Sequence, residues 1–328
     1  LVVEYNCFRF GGAIYFTESI STFSQNLIDT KPTIFFAVPR ILTKFQQGIL
    51  TTMSQAHLDT VLSNPEQSEF IKKKLRAALG LDETRALISG AAPLSESLKE
   101  WYTSIGLPIT NGYGMTENCA ITTILFPEEK KPGSVGKAQP RVKIKIDSET
   151  GEILMRGPFL MSGYYKRQDL TDESISEGWL RTGDQGRLDD EGYLFITGRI
   201  KDTFKTAKGK FIVPAKIEAP FTKSEVLEQI CLVGLGCPQP MLLVNLSDVG
   251  KSKEKKILEN ELIHLLKNVN SDLSNYQKIS TLIINNEDWS VGNGLLTPTL
   301  KIKRNAIYQR YKTNLIQWHE NNKQIIWE

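Results

Sequence analysis

The chain has 328 residues, of which 40% are hydrophobic and 23% charged, with a formal net charge of +3. That length buries one substantial core and a second, smaller one, and so small a charge excludes nucleic acid as the main partner. Cys7, Cys119, Cys231 and Cys237 show no zinc-ligand spacing, so free thiols in a reducing, cytoplasmic setting are expected. No run reaches the ~18–20 apolar residues of a membrane helix. Residues 1–20 mix Glu4, Arg9 and Glu18 into the apolar positions, unlike a signal peptide. The sequence opens on Leu1 inside an apolar-rich pattern, so a piece of a longer chain is expected.

In chain order, TIFFAVPR at 33–40 predicts a buried strand ending at Pro39, and helices are expected over 41–53 and 68–79. RALISG at 85–90 reads as a second strand running into Gly-Ala-Ala-Pro. A helix over 95–103 and a short strand over 108–111 follow. Strand, glycine turn and helix in repetition predict a parallel-rich α/β sheet. From Gly133 to Ile196 short β runs recur with turn signals between them, which predicts a small β-barrel-like or sandwich-like subdomain. Beyond Arg199 the composition turns lysine-rich. Ile257, Leu258, Leu262, Ile263, Leu265, Leu266, Val269 and Leu273 then fall at helical spacing. A boundary near 200–202 gives a large α/β portion over 1–200 (α/β over 1–132, β subdomain over 133–198) and a smaller α+β domain over 201–328.

Five stretches carry chemistry. In Asn111-Gly112-Tyr113-Gly114-Met115-Thr116-Glu117, glycines around an aromatic let backbone approach a flat ligand. The Tyr ring can stack, the Thr hydroxyl can bond a phosphate oxygen, and the Glu can hold a hard cation. The plain reading is a glycine-rich turn with an exposed acid. Ser89-Gly90-Ala91-Ala92-Pro93-Leu94 offers small residues after a strand, useful to a ligand or simply to packing. Trp179-Leu180-Arg181-Thr182-Gly183-Asp184 places an acid suited to vicinal hydroxyls, or to an Asx-turn. Gly198-Arg199-Ile200-Lys201-Asp202 with Lys208-Gly209-Lys210, and the 296–304 stretch LTPTLKIKR, read individually as solvated basic loops.

Taken in this order and spacing, the stretches resemble the adenylate-forming superfamily of acyl-CoA synthetases, adenylation domains and luciferases. Val38-Pro39-Arg40, Gly151-Glu152-Ile153 and Gly163-Tyr164-Tyr165 extend the resemblance over nearly the whole chain. The nearest look is to long-chain fatty acyl-CoA synthetases, through VPR, YGMTE, WLRTGD, GRIKD and LTPTLKIKR. By that resemblance Gly90, Ala91, Ala92, Asn111, Tyr113 and Gly114 line the adenine site, Thr116 contacts the α-phosphate, and Glu117 holds Mg²⁺. Asp184 takes the ribose hydroxyls with Arg199 nearby, and Lys301 bridges the carboxylate and the α-phosphate. Lys201 is the hinge of a mobile C-terminal domain, and the loop around Gly209 serves the CoA channel. ATP, Mg²⁺, CoA and a fatty acid are the implied cofactors and substrates. Oligomeric state is undetermined, and peripheral membrane association stays open.

Three departures stand out. The family's phosphate-gripping loop is absent, and in the family it lies upstream of where this chain begins. Gly250-Lys251-Ser252 does not replace it, because position 245 is Asn and the Walker spacing fails, so a solvated turn is expected there. Leu300 stands where the family often has glycine. Leu42 stands where some long-chain enzymes carry a tunnel-gating Trp, which leaves chain length open. The rival readings are an acyl-AMP ligase serving a carrier protein and a non-catalytic AMP-binding remnant. His57, His264 and His319 form no ligand pair or nucleophile motif, which disfavours a hydrolase or metalloenzyme.

Overall fold

A computed structural model describes residues 2–19, 21–120, 122–298 and 300–328. Leu1, Ile20, Ile121 and Thr299, the last belonging to the C-terminal motif, lie outside the described residues. Contacts divide the chain into two compact units, Leu1–Thr182 with Gly186–Ile196, and Gly183–Gln185 with Thr197–Glu328.

Local chemistry sets where elements begin in the first unit. Pro39 opens the helix Pro39–Thr52, where a missing N–H carries no penalty, so the preceding strand stops at Ala37 rather than running to the proline. Ser54, Asn64 and Ser95 cap the helices Gln55–Leu62, Pro65–Ala78 and Glu96–Ser104 by accepting backbone N–H bonds. The helices Val2–Phe10 and Gln55–Leu62 add to those read from sequence. Strands β1 (Ile34–Ala37), β2 (Ala86–Gly90), β3 (Ile109–Tyr113), β4 (Thr123–Leu125) and β5 (Lys137–Ala138) form one sheet in that order. β1, β2 and β3 are parallel, while β4 and β5 join antiparallel. Leu42, Leu58, Leu81, Tyr102 and Ile105 are fully buried in its core. Tyr102 donates its hydroxyl to the Leu42 carbonyl at 2.9 Å, and burial raises its pKa.

The second sheet takes β6 (Lys143–Ile146), β7 (Glu152–Arg156), β8 (Ile175–Ser176), β9 (Trp179–Leu188) and β10 (Leu194–Arg199). Its order is β10-β9-β7-β6 with β8 on β9, an open path, so the subdomain is a half-barrel rather than a closed barrel. Ile153, Met155 and Leu194 fill its core with Tyr113 packed against them.

In the second unit, β11 (Phe204–Lys205) and β12 (Phe211–Ile212) form a hairpin. β13 (Leu227–Val233), β14 (Met241–Leu246), β15 (Leu282–Ile284) and β16 (Ile325–Trp327) form a four-stranded sheet in chain order. β14 is buried at every position because both sheet faces are covered. Leu242, Val244 and Leu246 meet Leu258, Leu262, Leu266 and Val269 of the helix Lys255–Ser271. Met241 and Leu243 meet Ile307 and Tyr311 of Arg304–Tyr311, with Leu315 and Trp318 of Leu315–Glu320. Asn245 is buried among them, donating to Gln229 Oε1 and accepting from Asn285 Nδ2, each at 2.8 Å.

Two expectations change here. Gly250-Lys251-Ser252 belongs to the short helix Asp248–Ser252, capped by Ser247, and is not a solvated turn. Gly250 is buried, and a Cβ there would lie 2.4 Å from the Val226 carbonyl oxygen, so the packing requires glycine. Ile257, counted on the apolar stripe, is 56% exposed. No helix among the described residues is long and apolar enough to cross a membrane.

Candidate functional site

Parallel pairing of β2 and β3 aligns Ser89 with Asn111 and Gly90 with Gly112. Gly90-Ala91-Ala92 and Tyr113-Gly114 therefore leave the sheet side by side at the carboxyl ends of parallel strands, where open α/β sheets bind ligands. The two glycines differ in what the fold asks of them. A Cβ on Gly90 would lie 2.7 Å from the Gly112 carbonyl oxygen, so the strand pairing itself requires glycine there. A Cβ on Gly112 would meet nothing closer than 3.9 Å, so the protein's own packing leaves that position room for a side chain. Ala91 takes a φ of 66°, turning the chain sharply after the strand. Asn111 is buried and Tyr113 half-buried.

The chain then winds into the 3₁₀ turn Thr116–Asn118. Asn118, which sequence reasoning passed over, holds this turn. Its Oδ1 accepts the Met115 N–H at 3.0 Å, and its Nδ2 donates to Thr122 Oγ1 at 2.7 Å and to Met155 Sδ at 3.0 Å. Thr116 is exposed and Glu117 half-buried, both lining a cavity of about 250 Å³ with Met161, Gly163, Tyr164 and Tyr165. Tyr164 donates its phenol to Glu117 Oε1 at 2.8 Å, and burial, then this bond, raise its pKa. No group of three His, Cys, Asp or Glu side chains gathers as a metal cage among the described residues. One carboxylate on a roomy cavity still suits Mg²⁺, which keeps waters and takes substrate phosphates as its remaining ligands.

The second unit holds Asp184, Arg199, Lys201, Gly209 and Lys301. Gly183 turns with a φ of 71°, and the buried Asp184 carboxylate accepts from Arg199 Nε at 2.8 Å. Lys201 lies in the 3₁₀ turn Ile200–Asp202. Gly209 has a φ of 72° in the loop joining β11 to β12, where its N–H donates to the Thr206 carbonyl. The turn alone accounts for glycine at that position.

Lys301 sits in a tight loop closed by a bridge between Leu296 and Ile302. Thr297 organises it: its N–H donates to the Lys301 carbonyl at 2.8 Å, its carbonyl accepts from Leu300, and its hydroxyl accepts from Lys301 N–H at 3.1 Å. Leu300 adopts a φ of 62°, the left-handed region that favours glycine, at roughly 1–2 kcal/mol of strain. Its side chain offsets this by packing on the Met241–Trp318 core. Lys301 is exposed by surface area, yet desolvation around its ammonium, then the Arg199 charge, lower its pKa, with Asp184 opposing.

Three residues on, Arg304 ties the loop down. Its guanidinium is bidentate to Glu218 at 2.8 and 2.8 Å, donates to the Leu232 carbonyl at 3.0 Å, and reaches Asp202 at 3.5 Å. Sequence reasoning quoted Arg304 and Asp202 within their motifs without giving them a role, and passed over Glu218. The arginine inside the KIKR run was the available signal, but its partner is 86 residues away.

Residues 1–165 match the family model described as AMP-binding enzyme, and residues 201–322 match the AMP-binding enzyme C-terminal domain. The chain belongs to the AMP-binding enzymes. Among curated AMP-binding relatives it is 32% identical to Long-chain-fatty-acid–CoA ligase 6 of Rattus norvegicus, over 93% of this chain and 50% of that protein. It is 29% identical to Long-chain-fatty-acid–CoA ligase FadD15 of Mycobacterium bovis, over 92% and 57% respectively. The chain thus spans about half the length of these relatives. Among solved structures, the adenylation domain of a carboxylate reductase from Mycobacterium chelonae aligns with a TM-score of 0.74 and 25% identity, covering 94% of this chain and 50% of that one. O-succinylbenzoate coenzyme A synthetase from Bacillus subtilis, solved with AMP, aligns at 0.66 and 23% over 92% and 56%, a likeness of fold.

Proposed function

We propose that this chain carries the adenylate-binding wall and the C-terminal domain of an ATP-dependent long-chain fatty acid–CoA ligase. The observation that carries the reading is the Gly90–Gly112 pairing, which sets the small-residue loop beside Tyr113 and leads directly into Thr116 and Glu117. In the first half-reaction a fatty carboxylate oxygen attacks the α-phosphorus of ATP and pyrophosphate leaves. Mg²⁺, when bound at Glu117, neutralises phosphate charge, and Lys301 and Thr116 stabilise the charge gathering at the α-phosphate. Asn111, Tyr113 and the 90–92 backbone hold the base, and Asp184 and Arg199 the ribose. In the second half-reaction the CoA thiol attacks the acyl carbonyl and AMP leaves. Rotation of the 201–328 domain about Lys201 withdraws Lys301 and brings in the loop around Gly209.

The test is ATP–pyrophosphate exchange by the protein of the complete reading frame, with fatty acids of graded length. Exchange peaking with long chains, and AMP release dependent on CoA, are expected. Correctly folded protein with no exchange on any carboxylate overturns the reading. The alignment with the A-PCP didomain of a carboxylic acid reductase from Segniliparus rugosus, at a TM-score of 0.74 and 25% identity, favours a second reading, transfer of the acyl group to a carrier protein. Exchange without CoA-dependent AMP release selects it.

A further inference from the structure

Glu117 is gripped twice by one segment. Met161 donates its N–H to the Glu117 carbonyl at 2.7 Å, and Tyr164 donates its phenol to Glu117 Oε1 at 2.8 Å. Tyr164 is itself held from behind. Its N–H donates to Thr171 Oγ1 at 2.9 Å, and that hydroxyl donates to the Arg167 carbonyl at 3.0 Å, at the start of the helix Gln168–Ser174. Gly163 allows this close seat, since a Cβ there would lie 2.9 Å from the Thr171 side chain. Thr171 is buried, so the tyrosine's backbone is fixed against that helix and not against solvent.

A phenol in this position has one task toward a carboxylate. It donates a hydrogen bond to one oxygen, removes the rotational freedom a half-exposed glutamate would keep, and leaves the second oxygen for another ligand. The residue lines the same cavity as Thr116 and Glu117, so it acts at the site rather than in a remote core.

We propose that Tyr164 is a positioning residue that holds Glu117 in its Mg²⁺-binding orientation, with Thr171 as the support behind it. This rests on the reading of Glu117 as the metal carboxylate. Outer partners of metal ligands typically govern 10–100-fold in metal affinity. A single bond to one oxygen belongs at the lower end of that range.

The experiment measures Mn²⁺ dissociation from the enzyme–ATP complex, without carboxylate substrate, by the EPR signal of free Mn²⁺. The protein is that of the complete reading frame. Tyr164→Phe, which keeps the ring, is expected to weaken Mn²⁺ about tenfold, with exchange activity returning at high Mg²⁺. Thr171→Val, which removes the anchor on the Tyr164 N–H, is expected to shift affinity in the same direction by less, and serves if the phenylalanine variant misfolds. Glu117→Gln separates the two readings. If it weakens Mn²⁺ while Tyr164→Phe and Thr171→Val leave the affinity unchanged, the positioning role is overturned and the ligand reading stands. If Glu117→Gln leaves Mn²⁺ unchanged, the ligand reading falls and takes the positioning role with it.

Discussion

Gly90 and Gly112 face each other across β2 and β3, yet adding one methyl group to each should have opposite consequences. At Gly90 the new Cβ lies 2.7 Å from a backbone oxygen that is part of the sheet and cannot rotate away. Overpacking of this kind costs roughly 1–3 kcal/mol. At about 2 kcal/mol, and roughly 2–4 °C per kcal/mol for a domain of this size, Gly90→Ala should lower Tm by about 4–8 °C. At Gly112 the nearest atoms are the Ser89 and Thr123 carbonyl oxygens, both at 3.9 Å, an ordinary contact. There the loss of unfolded-state freedom stabilises by about 0.4–1 kcal/mol, so Tm should hold or rise slightly. If adenine lies against this backbone, the methyl group fills ligand space instead. A loss of about 1.4 kcal/mol in binding is tenfold in affinity, so the KM for ATP should rise roughly tenfold. Thermal unfolding with and without ATP, together with exchange kinetics, reads both effects. Gly112→Ala that destabilises as much as Gly90→Ala, or that leaves the ATP KM unchanged, refutes the reasoning.

In the proposed reaction Lys301 works as a cation, so adenylation should fall as pH rises through its pKa, which desolvation and then Arg199 set below the ordinary lysine value. Removing the guanidinium in Arg199→Met should move this alkaline limb to higher pH, and a limb that stays put counts against the coupling. Lys201→Pro should impair thioester formation more than adenylation, measured by supplying acyl-AMP and CoA separately from pyrophosphate exchange; equal losses oppose the hinge role. Arg304→Met strands the Glu218 carboxylate and should destabilise by ~3–5 kcal/mol in urea unfolding. Adding Glu218→Gln, which keeps an acceptor for the Leu232 N–H, should recover a large part of that loss, and no recovery excludes the ion pair as the cause.

The strand ends near the candidate site were legible in the sequence, because small residues follow the apolar run at 86–88 and a Gly-Tyr-Gly turn signal follows the short strand read at 108–111. The helix Lys255–Ser271 was legible for a different reason: Leu258, Leu262, Leu266 and Val269 keep one face apolar over its full length. Val2–Phe10 escaped because its apolar residues follow no clean period and Phe8 and Phe10 remain exposed. Partners distant in sequence were not legible at all. Tyr164 and Glu117 are separated by 47 residues, and nothing in either motif names the other. Gly250 shows a related limit: a glycine next to Lys and Ser looks like a turn, and only the neighbouring Val226 carbonyl reveals a packing requirement.

The doubly covered sheet of the second unit has a consequence for its own alignment. A strand with one wet face is locked by polarity, since slipping by one residue would turn its apolar set toward water. β14 has no such lock: Met241 and Leu243 could trade places with Leu242 and Val244 and still be surrounded by hydrocarbon. Asn245 breaks this degeneracy. A slip would pull it away from Gln229 on one side and Asn285 on the other, leaving buried amides unbonded at roughly 1–3 kcal/mol each. Three uncharged side chains thereby decide which of two equally greasy alignments the domain adopts.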